Sequence, residues 1–286
     1  MIPATFDYVR PDSVEKAIQL LQESNGEGVL IAGGHSLLPL MKFRITEPGK
    51  IIDISRIPEL KGVRIEGDKV IVGAMTSHVE ATNDPIIKEN IPVLSQATSQ
   101  VGDIQIRNSG TVGGNIAHGD PVADLTAPAF ALDAELIIRG EDGQETMSID
   151  GFILGPLITM IPENSVIVGV RFSIPPKHAK STYLKYFHPA TGYPVVGVAA
   201  VAGVDESGKI DYIRIGITGV GEVAYRASTV EEKLLGTEPT FESIQRAAQH
   251  AAEDGDMGSD LFASAEYREN LAKVYVERAL TKVLLG

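Results

Sequence analysis

The chain has 286 residues, a formal net charge of −13 and no cysteine. Its length allows two or three compact subdomains with a substantial core. Its acidity, with no Lys/Arg run anywhere, speaks against a phosphate-tracking nucleic-acid surface. The missing cysteines exclude disulfides, thiolate nucleophiles, zinc–thiolate sites and a cysteine-ligated iron–sulfur cluster in this chain.

The predicted elements begin with an α/β unit. Ser13 is a plausible N-cap for a helix whose Val14, Ala17, Ile18, Leu20 and Leu21 fall on one face, closed by Asn25-Gly26. Gly28 to Ala32 reads as a short buried strand running into Gly33-Gly34, followed by a helix at about Leu37–Phe43 and a strand at Ile51–Ile54. A hairpin follows, from Val63 to Ile65 and from Val70 to Ala74, turning at Glu66-Gly67-Asp68. A helix is expected from Val93 to Gly102 and another from Ala123 to Leu132, with strands at Ala134–Arg139 and Val166–Phe172. Pro175-Pro176 reads as a linker. Beyond it, strands at Tyr183–Phe187, Val195–Val204 and Ile210–Thr218 precede helices at Val230–Leu235, Phe241–Glu253 and Ala265–Leu285. The longest apolar stretch, Val195 to Val204, is too short to span a bilayer. The N-terminus has no basic segment followed by an apolar one, so no secretory signal is expected and the expected location is cytoplasmic.

Two glycine pairs carry the chemistry. Ala32-Gly33-Gly34-His35-Ser36 joins a strand to a helix start, and paired glycines let successive N–H groups converge on an anion. Ser36 adds a hydroxyl, and a helix start a positive end. Taken alone, this equally describes a plain tight turn. Thr111-Val112-Gly113-Gly114-Asn115 repeats the pattern with Thr111 and Asn115 as side-chain donors, and two such loops suit a diphosphate approached from two sides. Asp124 is placed to accept from sugar hydroxyls or ring N–H groups, although by residue type a helix cap is the better reading. Arg107 equally suits a structural ion pair. Gly219-Val220-Gly221-Glu222-Val223-Ala224 matches a dinucleotide fingerprint but lacks a flanking βαβ unit, and reads as a turn after a strand. The six histidines show no i, i+4 pairing, and no metal site is expected. His35 and His118 read as peripheral or exposed rather than as proton shuttles.

These features together resemble the FAD-binding medium subunit of the molybdenum hydroxylases, of the carbon monoxide dehydrogenase medium-chain and xanthine dehydrogenase FAD-domain type. The resemblance runs over nearly the whole chain. It includes Ile2-Pro3, Phe6-Asp7-Tyr8, Ala32 to Lys42, Ile57-Pro58-Glu59-Leu60, Gly73-Ala74-Met75-Thr76, Gly102 to Asn115, Asp120-Pro121 with Asp124, Thr218-Gly219-Val220-Gly221 and Ser264-Ala265-Glu266-Tyr267-Arg268. It implies an α+β, vanillyl-alcohol-oxidase-type (PCMH-type) FAD-binding fold. Residues 1–54 would form an N-terminal α/β subdomain, 55–176 a middle sheet-containing subdomain, and 177–286 a C-terminal domain of antiparallel sheet plus helices. FAD would lie between the first two, against Ala32, Gly33, Gly34, His35, Ser36, Thr111, Val112, Gly113, Gly114 and Asn115. Asp124, Ile167, Lys185 and Tyr193 match positions lining the cofactor, with the Tyr193 ring facing the isoalloxazine; the residues alone give Tyr193 no more than a loop position. Pro194 stands where many relatives carry a small residue, which bears on how far that loop moves. No residue of this chain is expected to be catalytic.

By the same resemblance, a large subunit carries molybdopterin and the substrate chemistry, and a small subunit carries two [2Fe–2S] clusters. Electrons would reach FAD here and leave to an external acceptor, a division of labour that the absence of cysteine fits, and the assembly implied is a dimer of heterotrimers. The competing readings are a self-sufficient flavin oxidase on the same fold, a non-redox assembly subunit, and a nicotinamide dehydrogenase built on Gly219–Ala224.

Overall fold

A computed structural model of the chain describes residues 2–286. Three sheets organise it. The first is three-stranded and parallel, with Lys50–Asp53 between Asp7–Val9 and Gly28–Ile31. The helix Val14–Glu23 packs on it. Ser13 accepts from the Lys16 N–H at 3.2 Å, and the buried Val14, Ala17, Ile18 and Leu21 meet Ile52 and Ile54 in one cluster. Asn25 and Gly26 both take positive φ and turn the chain back, as expected of that pair.

The second sheet is antiparallel and five-stranded, in the order Val63–Glu66, Lys69–Gly73, Val166–Ser173, Glu135–Gly140, Gly143–Ser148. Between its second and third sequence strands the chain forms short helices: His78–Asn83, Pro85–Asn90, Pro92–Ser99, Ile104–Ser109, Val112–Ala117 and Thr126–Ala131. The sequence reading anticipates only the third and the last. The other four are each six residues, a turn and a half, too short to establish a 3.6-residue period. Their caps were nevertheless written in the chain. Ser77 and Glu80 form a capping box, Asp84 accepts from the N–H groups of Ile86 and Ile87 ahead of Pro85, and Asp103 accepts from Ile106 N–H.

The third sheet is antiparallel: Lys180–Phe187, Pro194–Val204, Ile210–Thr218, Tyr225–Arg226. The helices Ser228–Leu234, Phe241–Ala248 and Ala265–Leu284 cover one face, the second ending earlier than expected. Strand Pro194–Val204 is apolar throughout because both of its faces are buried. Val196, Val198, Ala200 and Ala202 meet the covering helices, while Ala199 and Val201 join the core of the middle sheet. Helix Thr126–Ala131 lies on that second face, where a β-carbon at Gly216 would run into the Ala127 carbonyl. No described helix is long and apolar enough to cross a membrane.

Candidate cofactor site

A cavity of about 520 Å³ opens beyond the carboxyl end of strand Gly28–Ile31, where ligands of parallel sheets characteristically sit. Ala32, Gly33, Gly34, His35 and Ser36 line it. Gly34 has φ of +74°, open to glycine without strain. Gly33 is wedged against the second loop region: a β-carbon there would lie 2.7 Å from the α-carbon of Gly110. Ser109 Oγ donates to the Gly33 carbonyl at 2.8 Å, which pins the loop from below. The N–H groups of Gly33, Gly34, His35 and Ser36 have no protein acceptor among the described residues. Four consecutive donors without a protein acceptor beside a cavity form an anion cradle.

The second loop is built differently. Val112 N–H donates to the Thr76 carbonyl and Gly113 N–H to the Ala74 carbonyl, both at 2.9 Å. Gly114 N–H is capped by Thr111 Oγ1 at 3.1 Å, and Asn115 N–H donates to the Thr111 carbonyl at 3.0 Å. A β-carbon at Gly113 would stand 2.5 Å from that of Ala74, so this glycine permits close packing. Thr111, Gly113, Gly114 and Asn115 line the cavity, whereas Val112 is fully buried in the core behind it. What this loop offers a ligand is the Thr111 hydroxyl and the Asn115 side-chain amide, whose Oδ1 accepts from Leu125 N–H at 3.3 Å.

Asp124 lines the same cavity and caps no helix, since the next one has Leu125 at its N-cap. Its carboxylate is almost fully buried and accepts from Tyr183 Oη at 2.7 Å and from Lys185 Nζ at 2.9 Å. Lys185, its side chain 2% exposed, also donates to the Gln100 carbonyl at 2.9 Å. Lys185 therefore stands behind Asp124 and outside the lining. Burial raises the Asp124 carboxyl above its usual range, against the opposing pull of the Lys185 ammonium and the Tyr183 hydroxyl. Ile167 lines the wall at the irregularity in strand Val166–Ser173, and Tyr193 stands half-exposed at the mouth. Burial, with Asp120 and Asp124 nearby, raises the Tyr193 phenol.

Sequence reasoning missed His78. Its ring lines the cavity beneath the second loop, and a β-carbon at Gly110 would be 2.9 Å from its Cδ2. Nδ1 is buried without a partner among the described residues. Burial, with His35 and Arg107 nearby, lowers this imidazole to about 4, so it is neutral at pH 7. Its only signal in the chain was its place after the capping residue Ser77. His35 and His118 line the same cavity. Arg107 makes no ion pair among the described residues: its Nη1 donates to the carbonyls of Val101 and Gly102, each at 3.0 Å. Among the described residues no group of three or more His, Asp or Glu is placed to hold a metal.

The donor set fits FAD. Four unspent amides and two hydroxyls suit a diphosphate, and a buried carboxylate on the same cavity wall suits N–H groups or sugar hydroxyls. Two family descriptions divide the chain: "FAD binding domain in molybdopterin dehydrogenase" matches residues 4–176, and "CO dehydrogenase flavoprotein C-terminal domain" matches residues 183–283. The chain belongs to the FAD-binding family of molybdopterin dehydrogenases. It is 39% identical to the carbon monoxide dehydrogenase medium chain of Hydrogenophaga pseudoflava, over 98% of this chain and 97% of that one. It is 33% identical to subunit alpha of the 6-hydroxypseudooxynicotine dehydrogenase complex of Paenarthrobacter nicotinovorans, over 99% and 96%. Among solved structures, carbon monoxide dehydrogenase from Hydrogenophaga pseudoflava superimposes with a TM-score of 0.94 at 40% identity, covering 100% of this chain and 99% of that one. Quinoline 2-oxidoreductase from Pseudomonas putida 86 does so with a TM-score of 0.93 at 30% identity, with the same coverage. The family's medium chains are FAD-carrying components of multi-subunit oxidoreductases, and this chain is one of them. Gly219–Ala224 is a turn after strand Ile210–Thr218, as its context in the sequence indicated.

Proposed function

We propose that Ala32–Ser36 and Thr111–Asn115 hold the FAD diphosphate, that Asp124 orients the cofactor, and that Ile167 and Tyr193 border its ring system. The observation that carries this reading is the run of four unspent N–H groups from Gly33 to Ser36 on the cavity wall. Lys185 and Tyr183 keep Asp124 a fixed acceptor, and Val112 anchors the second loop in the core. When bound, flavin supplies the redox chemistry, which no side chain of this protein provides. The chain's share is to bind, orient and screen that group from water.

In the assembled enzyme a small subunit with [2Fe–2S] clusters delivers electrons to this chain, and a large molybdopterin subunit oxidises the substrate. An external acceptor then takes the electrons away. The arrangement proposed is a cytoplasmic dimer of heterotrimers, with this chain divided at residues 54 and 176. The lack of cysteine supports the cluster-bearing partner, since the clusters need ligands from another chain. The full chain purified alone should take up one FAD and oxidise no organic substrate. A colourless protein that refuses FAD, or substrate turnover by the single chain, overturns the proposal.

A further inference from the structure

Two segments have no place in the site so far: the turn Gly219-Val220-Gly221, and Asp256 to Arg268. Arg268 opens the helix Ala265–Leu284, with its guanidinium almost fully buried. Nη1 donates to the carbonyls of Val195, at 3.1 Å, and Gly219, while Nη2 pairs with the Asp260 carboxylate. Asp260 Oδ1 in turn accepts the N–H groups of Phe262 at 2.8 Å and Ala263 at 2.9 Å. The other end of this loop is seated on the glycine turn. Gly258 N–H donates to the Val220 carbonyl at 2.8 Å, and a β-carbon at Gly221 would strike the Asp256 carbonyl. The G-x-G spacing that imitates a dinucleotide fingerprint thus serves to dock a loop.

That loop projects Phe262 into solvent at 70% exposure, where a phenyl ring gains little from burial. The ring meets one aromatic neighbour edge-on, the His188 imidazole, with centroids 4.3 Å apart and planes at 73°. His188 closes the turn that carries Tyr193: its N–H donates to the Tyr193 carbonyl at 2.7 Å, and its carbonyl accepts Gly192 N–H at 2.8 Å. Thr191, Gly192 and Tyr193 line the cofactor cavity. The turn bearing Tyr193 is therefore closed by His188, which Phe262 meets, and it runs into the strand whose Val195 carbonyl Arg268 holds.

We infer that Phe262 is a positioning residue for Tyr193: anchored through Asp260 to Arg268 and packed on His188, it fixes the turn that carries the tyrosine at the cavity mouth. The inference rests on the reading of Tyr193 as a residue bordering the flavin. It is tested on the full chain reconstituted with FAD, by bound-flavin fluorescence, by the FAD release rate and by the thermal midpoint of the cofactor-free protein. Phe262→Ala should shift that midpoint by no more than about 2 °C, because the ring is exposed. It should raise the flavin fluorescence and speed FAD release by roughly three- to tenfold, as expected if a nearby aromatic ring is loosened. Phe262→Tyr should restore both. In a Tyr193→Ala background, Phe262→Ala should add nothing, since its effect passes through that ring. If Tyr193→Ala changes the flavin signals and Phe262→Ala does not, or if the two effects add in full, the inference is overturned. If Tyr193→Ala is itself silent, the flavin-bordering reading of Tyr193 falls, and the inference falls with it.

Discussion

In the loop Ala32–Ser36, the N–H groups of Gly33 to Ser36 have no acceptor among the described residues, whereas in Thr111–Asn115 every N–H from Val112 to Asn115 is already bonded. Both loops carry a glycine pair, and both line one cavity. The first presents backbone donors. The second ties Val112 and Gly113 to Thr76 and Ala74, next to the bridge between Ser77 and Thr111, and turns the N–H groups of Gly114 and Asn115 back onto Thr111. Glycine pairs therefore mark places of close backbone approach, and only the fate of their N–H groups decides whether they bind a ligand or the rest of the fold.

The largest expected effect separates the two roles. Gly33→Ala places a β-carbon against the backbone of Ser109 and Gly110, which cannot rotate away. FAD affinity, measured by titration of the cofactor-free chain, should fall about a thousandfold, or about 4 kcal/mol. Gly114→Ala meets chiefly the Thr111 hydroxyl, at 2.8 Å, and should cost far less. Equal losses would break the contrast between the loops.

The next effect concerns His78, whose ring packs near Gly110, just ahead of the second loop. His78 titrates at 6.5 when unfolded and at about 4 when folded, so the unfolded chain binds the extra proton between those values. Its contribution is complete above pH 6.5 and is lost as pH falls toward 4, by about 3 kcal/mol at most. Urea unfolding at pH 7 and at pH 4.5 should show a His78→Gln variant losing less stability over this interval than the parent. A parallel decline in both would show that His78 is not the group responsible.

The smallest effects sharpen the comparison. Thr111 caps its helix and Ser36 does not. Thr111→Val should lower stability by about 1 kcal/mol, while Ser36→Ala should leave it within about 0.5 kcal/mol and weaken FAD binding alone. Chemical denaturation and FAD titration of both variants check the pair.

Much of this was legible in the chain. The first helix with its Ser13 cap, the strand entering Gly33, the hairpin at Glu66-Gly67-Asp68 and the three long strands after Pro176 follow from periodicity and turn chemistry. The short helices between residues 78 and 117 were not, because six residues cannot display a helical period. Asp124 was misread as a cap on residue type, since its partners Tyr183 and Lys185 lie 59 and 61 residues away. His78 escaped notice for the same reason: its neighbours are the cavity wall and Gly110, not its own segment.

By itself the sequence determined that the chain is an acidic α+β protein with two glycine-pair loops, no means of holding an iron–sulfur cluster, and the pattern of an FAD-binding medium subunit. Residue type, spacing and composition are local properties, and they suffice for that. Only the tertiary structure decided which loop keeps its amides free, which carboxylate is buried beside a lysine, and that Arg268 ties the start of strand Pro194–Val204 to the Gly219 turn. Those outcomes depend on which backbone and side-chain groups meet across tens of residues, and hydrogen-bond satisfaction on burial is settled only where they meet.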